Sequence, residues 1–294
     1  MMNAPQTEIQ TQDPEQLLLE ALEERWKKTR LELKRCRAEF SNEAVHDVRI
    51  ALRRLLSLVQ LLNSISPRPR LRKLERALKN KLNDFDDLRD TQVLLAEISE
   101  TIQKFPQLQK LQKRFDRVEK DLLRELRKKI RKPELAEITR RVRKTRKDLK
   151  DGTKDDLVDP ILQSVDDAFL LTMQRHGHID PARPATIHRV WIAFKTFRYM
   201  LEIVHPLLND FPEENLNLMN NHQSLMGEIQ DLENFIQALI DIPQNASSFD
   251  VEPVHRYYKI RHAEAISAFM ANKDIMNTFW RNAPNESFPW EKTE

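Results

Sequence analysis

Residues 45–62 constrain the fold more than any other stretch, because they read as one helix with two separate faces. At about 100° per residue, Val48, Leu52, Leu55, Val59 and Leu62 fall on a broad apolar stripe, the pattern of a helix packed on a core. His46, Arg49, Arg53 and Ser57 share a second, narrower stripe within about 80° of one another. A solvated helix face usually interleaves acids with bases at pairing distance. This stripe does not: Asp47, the nearby acid, points elsewhere. Aligned cations without acids repel one another, so an anion is the expected partner.

The segment recurs. Residues 187–199 align with it without a gap, offset by 142 positions. His188 matches His46, Lys195 matches Arg53, and Val190, Phe194, Phe197 and Leu201 again share one face. The stretch downstream of each copy also repeats: Asp90 lies 44 residues after His46, and Asp231 lies 43 after His188. A pair of elements duplicated at matched spacing implies internal pseudo-twofold symmetry.

Three glycines in 294 residues argue for an all-α chain, because sheets need turns and bulges that glycine normally supplies. At 40% hydrophobic content the chain can bury a full core. The single cysteine, Cys36, excludes an internal disulfide and fits a reducing compartment. The polar N-terminus has no signal-peptide pattern, and no apolar run approaches the roughly 18 residues that span a bilayer. These features lead us to expect a soluble, cytoplasmic protein. Residues 1–150 carry 37 Lys+Arg against 24 Asp+Glu, a net of +13, whereas residues 151–294 carry 12 against 22, a net of −10. Such asymmetry points to a polyanionic partner on one half.

Taken in order, a disordered tail is expected over 1–13, with a first helix starting at Asp13 and Pro14 and running to about Phe40. The His46 helix follows, to about Ser66. A third helix, about 71–103, turns Leu74, Leu78, Phe85 and Leu88 to a core and sets Arg72, Arg76, Lys79, Asn83, Asp86 and Asp90 on a second stripe. Its basic end reads as a wall of an anion site, and Asp90 and Asp231 as carboxylates that orient Arg or His side chains. Helices over 106–132 and 134–150 complete a basic first bundle, 14–150. Their dense Lys and Arg run reads mainly as a solvated face, since Glu119, Asp121, Glu125 and Glu137 are interspersed. A break at 151–156 opens a second bundle, 151–282, with helices near 157–176, 186–209, 213–241 and 251–282, and a tail over 283–294.

Motifs for chemistry are absent: no glycine-rich phosphate loop, nucleophile elbow or spaced acid set for phosphoryl transfer. His176, His178, His255 and His262 lack the Cys, His or carboxylate spacing of metal sites. No enzymatic activity, cofactor or metal is therefore expected.

His46, Arg49, Arg53 and Arg54, followed by Leu88, Arg89 and Asp90, together with the second copy His188, Lys195, Arg198 and Tyr199, resemble the CHAD domain, the conserved histidine α-helical domain. The resemblance covers roughly residues 14–282. It implies two four-helix bundles related by a pseudo-twofold axis, with basic side chains lining a central surface that binds inorganic polyphosphate without catalysis. Carried over residue by residue, it nominates His46, Arg49, Arg53, Arg54, Arg89, His188, Lys195 and Arg198 as polyphosphate-binding, and the basic end of the third-helix stripe adds Arg72, Arg76 and Lys79. Association with polyphosphate granules is compatible with that function.

The second copy departs from the pattern. Trp191 stands where Arg49 would match, Thr196 where Arg54 would, and Asn217, Asn220 and Ser224 where Arg76, Lys79 and Asn83 would. Leu56 also sits where the family often has another Arg. A site dominated by the first half is expected, with His188, Lys195 and Arg198 as a shorter wall. Two other classes stay open. A nucleic-acid binder would use the run 124–150, which lacks the interleaved aromatics that stack bases. A scaffold could dock an acidic or phosphorylated protein, or form a homo-oligomer through the oppositely charged halves.

Overall fold

Helix starts follow the capping chemistry written into the chain. Asp13 accepts the Glu15 N–H at 3.0 Å, Pro14 takes the first helical position, and α1 runs Pro14–Glu39. Phe40 ends it in a left-handed conformation (φ 51°) and donates its N–H to the Cys36 carbonyl at 2.9 Å. Ser41 then caps α2 (Asn42–Ile65), accepting the Ala44 N–H at 3.2 Å. The apolar stripe of α2 is core as expected: Val48, Leu52, Leu55, Val59 and Leu62 are all buried.

The computed structural model describes residues 13–151, 157–241 and 251–291, apart from the side chains of 132–134. Among them there is no strand. The chain continues as α3 (Pro69–Asn83), α4 (Asp86–Thr101), α5 (Gln109–Lys129), α6 (Lys132–Lys150), α7 (Val158–His176), α8 (Ala185–Val204), α9 (Glu213–Ile240) and α10 (Glu252–Asn272). None of these helices is long and apolar enough to cross a membrane.

The expected single helix over 71–103 is instead two. At the bend the Phe85 N–H bonds to the Leu82 carbonyl at 3.0 Å, one residue tighter than the α-helical pattern. The Lys81 amine holds Asp84 at 2.8 Å and also reaches the Lys129 carbonyl at 2.8 Å, which ties the bend to the end of α5. Neither Asp84 nor Phe85 is a helix breaker, so the turn rests on these tertiary contacts.

Packing partners recur in the two halves. In the first, α1 packs on α2, α2 on α3, and α4 on α5; in the second, α7 packs on α8, α8 on α9, and α9 on α10. The unbroken α9 thus does the work of α3 and α4 together. α6 is additional, packing on α1 and α3. The halves join where α2 meets α7 and α8 and where α4 meets α9. Ser64 donates to Ser164 at 2.8 Å, and Tyr258 bonds Glu97 at 2.7 Å across that junction.

The break expected at 151–156 falls largely outside the described residues, as do residues 1–12 of the N-terminal tail and 292–294 at the other end. The rest of the expected C-terminal tail is packed. Phe288 is buried and stacks on Trp290 at 4.7 Å between ring centroids. Just before it, Trp280 and Arg281 both bond the buried Asp166 of α7, Arg281 in a fork at 2.9 and 2.7 Å.

Candidate functional site

The polar stripe of α2 does have an acid partner, supplied by another helix. Arg49, 7% exposed, donates from its guanidinium to Asp86, which the bend before α4 brings into the first turn of that helix. Asp47 is drawn away to Arg35 of α1 at 2.6 Å. Asp86, rather than Asp90 or Asp231, is therefore the carboxylate in direct contact with the stripe. Arg53, one turn on, is half-buried beside Arg49, Asp86 and Asp90. Loss of hydration, then the Arg49 charge, lowers its pKa from the usual value. Arg89 of α4 reaches back to the Asn42 side-chain oxygen at the start of α2. Burial holds it down too, with Asp231 opposing.

Lys195 of α8 faces this group from the second half. It is 9% exposed, and its amine lies 3.0 Å from the centre of the Trp191 ring. Trp191 occupies the position that Arg49 holds in α2, so an indole replaces a guanidinium and becomes a platform for the amine. Burial pushes Lys195 down to about 6; Arg53 and Arg49 add to the effect, and Asp231 and Asp86 oppose it. His46 is exposed at the rim, yet loss of hydration followed by Arg89 lowers its pKa, with Arg49 and Arg53 contributing less. His188 is lowered by burial and then by Lys195, against a hydrogen bond with Gln230, and its Nδ1 has no hydrogen-bond partner.

The carboxylates feel the same crowding. Asp231 is open to solvent on one side, but the surrounding protein strips enough hydration to push it up to about 6, even with Arg89 pulling it down. Asp90 is raised for the same reason. The cluster borders a cavity of about 530 Å³ between α4 and α9, lined by Arg89, Asp231, Trp191 and Gln223. Cations and acids are thus held at a common face with too little water to solvate either fully. Such a face is set up to accept an anion that can bridge several cations.

Not every nominated residue joins it. Arg54 is bound bidentately to Glu202 of α8, at 3.0 and 3.3 Å. Arg198, 6% exposed, is consumed by Gln223 at 2.9 Å, Asn220 at 3.3 Å and the same Glu202 at 3.2 Å. The Tyr199 ring lies close to both guanidinium groups. Arg25 of α1 completes this second group by donating to the Arg54 carbonyl at 3.1 Å. Burial pushes it down to about 10, with Glu202 opposing. Arg54 therefore clamps the halves together through Glu202, while Arg198 braces α8 against α9 within the second half. Arg72, Arg76 and Lys79 stand exposed on α3, with Lys79 engaged by Glu75 at 2.7 Å, and are not among the charges that dominate the shifts of His46, Arg53 or Lys195.

Sequence reasoning missed Glu202 and gave Asp86 no role of its own. The Arg198–Glu202 spacing of four was a visible pairing signal on α8. The reach of Arg54 across the halves was not. The basic run of α5 and α6 is paired in part on the surface, as in Arg124–Asp121 at 2.7 Å, Lys128–Glu125 at 2.7 Å and Arg141–Glu137 at 2.6 Å. Among the described residues no three His, Cys, Asp or Glu side chains converge on a metal position.

Residues 20–239 match the family model of the CHAD domain. The fold is similar to the crystal structure of the CHAD domain from the plant Ricinus communis, with a TM-score of 0.66 at 17% identity, over 100% of this chain and 97% of that one. No curated protein matches the sequence.

Proposed function

Because the chain belongs to the CHAD domain family, we propose that it binds inorganic polyphosphate, without catalysing its turnover, on the face where α2, α4 and α8 meet. Arg49 and Arg53 fork onto phosphate oxygens, Arg89 and Lys195 add charge from the flanking helices, and His46 donates from the rim. His188 packs against the Trp191 ring on which the Lys195 amine rests, and acts through that pair.

The observation that carries this reading is the Lys195 amine, buried against Trp191 and facing two arginines. An amine so placed yields much of its charge in the free protein, and a polyanion is the ligand that restores it. Polyphosphate suits the face because it presents charge on every unit of a narrow, flexible chain and asks for no base-stacking surface. A nucleic acid has fewer charges per length and bases to accommodate.

The test is displacement of labelled long-chain polyphosphate by short-chain polyphosphate, RNA, DNA and heparin at about 0.15 M salt. Polyphosphate should displace at far lower phosphate concentration than RNA, and its affinity should fall steeply with added salt through counterion release. Equal displacement by RNA, or affinity indifferent to salt, contradicts the proposal.

A further inference from the structure

α6 is the helix that the second half does not duplicate, and it builds a feature of its own. It lies antiparallel to α1: Arg146 near its end pairs with Glu23 near the start of α1, while Leu135 and Ala136 lie by Leu33 and Arg37. Between the two helices runs a groove of about 650 Å³. Its floor is apolar, made of Trp26 and Leu33 from α1 with the half-buried Leu135 from α6. Its rim is basic, with Arg30 and Arg37 on one side and Arg140, Arg143, Lys144 and Lys147 on the other. Among the described residues that line it, none is acidic. Arg140 is satisfied by Glu137 at 2.9 Å, but Arg30, Arg143, Lys144 and Lys147 extend into solvent.

We propose that this groove is a second binding site, which takes an acidic amphipathic helix of a partner protein. The inference is independent of polyphosphate binding, since it shares no residue with the face on α2, α4 and α8.

Three features favour that occupant. The lining positions on α1, Trp26, Arg30, Leu33 and Arg37, lie on one stripe that rises about 16 Å, the length of three helical turns. A helix laid along it would seat side chains at i, i+3, i+4 and i+7 on the floor, the common geometry of helix-in-groove recognition. Its flanking Asp and Glu would meet the six rim cations, so charge complementarity sets both sign and register. Inorganic polyphosphate has no apolar side and would leave the floor uncovered. A bilayer needs apolar groups that protrude, whereas here Trp26 and Leu33 are buried at the base of the groove. At the far end the groove continues past Trp26 into a region of mixed charge, where Glu20, Glu23 and Glu24 stand among Lys27, Arg143 and Arg146 and the purely basic rim ends.

The experiment titrates the full chain into a fluorescein-labelled helical peptide of about 16 residues, leucines on one face and glutamates flanking them, read by anisotropy. A scrambled peptide of the same composition and vesicles of phosphatidylglycerol and phosphatidylcholine serve as competitors. The key variant is Arg143→Glu with Lys144→Glu, two exposed positions whose exchange leaves the core intact; Arg49→Ala with Arg53→Ala is its counterpart on the other face. Saturable binding is expected, weakened about tenfold or more by scrambling and by the groove variant, and unchanged in the Arg49 and Arg53 variant. Four results would overturn the proposal. The peptide could fail to bind, or the scrambled peptide could bind equally well. The loss could follow Arg49 and Arg53 rather than the groove, or the vesicles alone could bind in a groove-dependent way.

Discussion

The sequences of α2 and α8 align without a gap from His46 and His188 onward, and at the shared face the two helices solve the same electrostatic problem differently. In α2 the basic stripe is stabilised by geometry: the Arg49 guanidinium is locked to Asp86. In α8 the equivalent position is Trp191, and the next basic residue, Lys195, rests on that ring instead of on a carboxylate. A guanidinium keeps its charge almost regardless of burial, whereas an amine yields it. The first half thus supplies permanent charge, and the second supplies charge that depends on pH and on what is bound. Loss of basic residues from the second copy reads in sequence as erosion. In the structure it is a division of labour between fixed and titratable cations.

The largest effect should come from the fixed side. Arg49→Ala with Arg53→Ala removes two charge-assisted contacts worth about 1.5–3 kcal/mol each, so polyphosphate affinity should drop about 100-fold or more. Circular dichroism must show the variant folded, because Asp86 loses its partner. A loss under tenfold would mean that the two helices contribute alike.

Next comes Lys195→Met, where affinity and stability should move in opposite directions. Polyphosphate affinity should fall about tenfold. The ligand-free protein should gain about 1–4 kcal/mol, because a buried, poorly compensated amine gives way to an apolar chain of similar shape. In the folded chain Lys195 titrates near 6 against a reference of 10.5. Between those values the unfolded chain binds more protons, so the penalty grows as pH falls from about 10 to about 6 and is constant below. The stability gain of the variant should therefore be small at alkaline pH, larger at neutral pH and full only below about pH 6. A destabilised variant would show that the amine is satisfied in the free protein.

A pH series in affinity sharpens the comparison further. A bound polyanion raises the pKa of Lys195, His46, His188 and Asp231 together, so binding takes up protons and affinity strengthens as pH falls from about 8 to about 6. His46→Gln should flatten only the lower part of that curve, near the histidine reference of about 6.5. Chelator-sensitive binding that weakens at low pH would point to a metal-ligand histidine instead.

The smallest effect on binding should come from Arg54→Gln with Arg198→Gln, since both side chains are spent on Glu202, Gln223 and Asn220. Thermal stability should drop, because Glu202 is left largely buried without either of its ion-pair partners. A binding loss matching that of Arg49 and Arg53 would mean that these clamps open to receive the ligand.

Which residues gathered at the face was legible in part. The stripe on α2 and its copy on α8 gave His46, Arg49, Arg53 and Lys195 directly, because helical periodicity fixes which residues share a side. Arg89 came in through the family pattern and does lie beside them. Three things were not legible, each set by contacts between elements. The bend at Asp84 and Phe85 carries no glycine or proline and depends on Lys81 reaching α5. The pairing of Arg49 follows from that bend, which delivers Asp86. The removal of Arg54 and Arg198 from the face required knowing that Glu202 lies within reach of both halves.

The most direct test of the central claim is the number of protons exchanged when polyphosphate binds. Calorimetric titrations at about pH 7 in two buffers of different ionisation enthalpy give that number, for the wild type and for Lys195→Met. Net proton uptake by the wild type, much reduced in the variant, is the result this account predicts. Proton release, or no exchange in either protein, would contradict it.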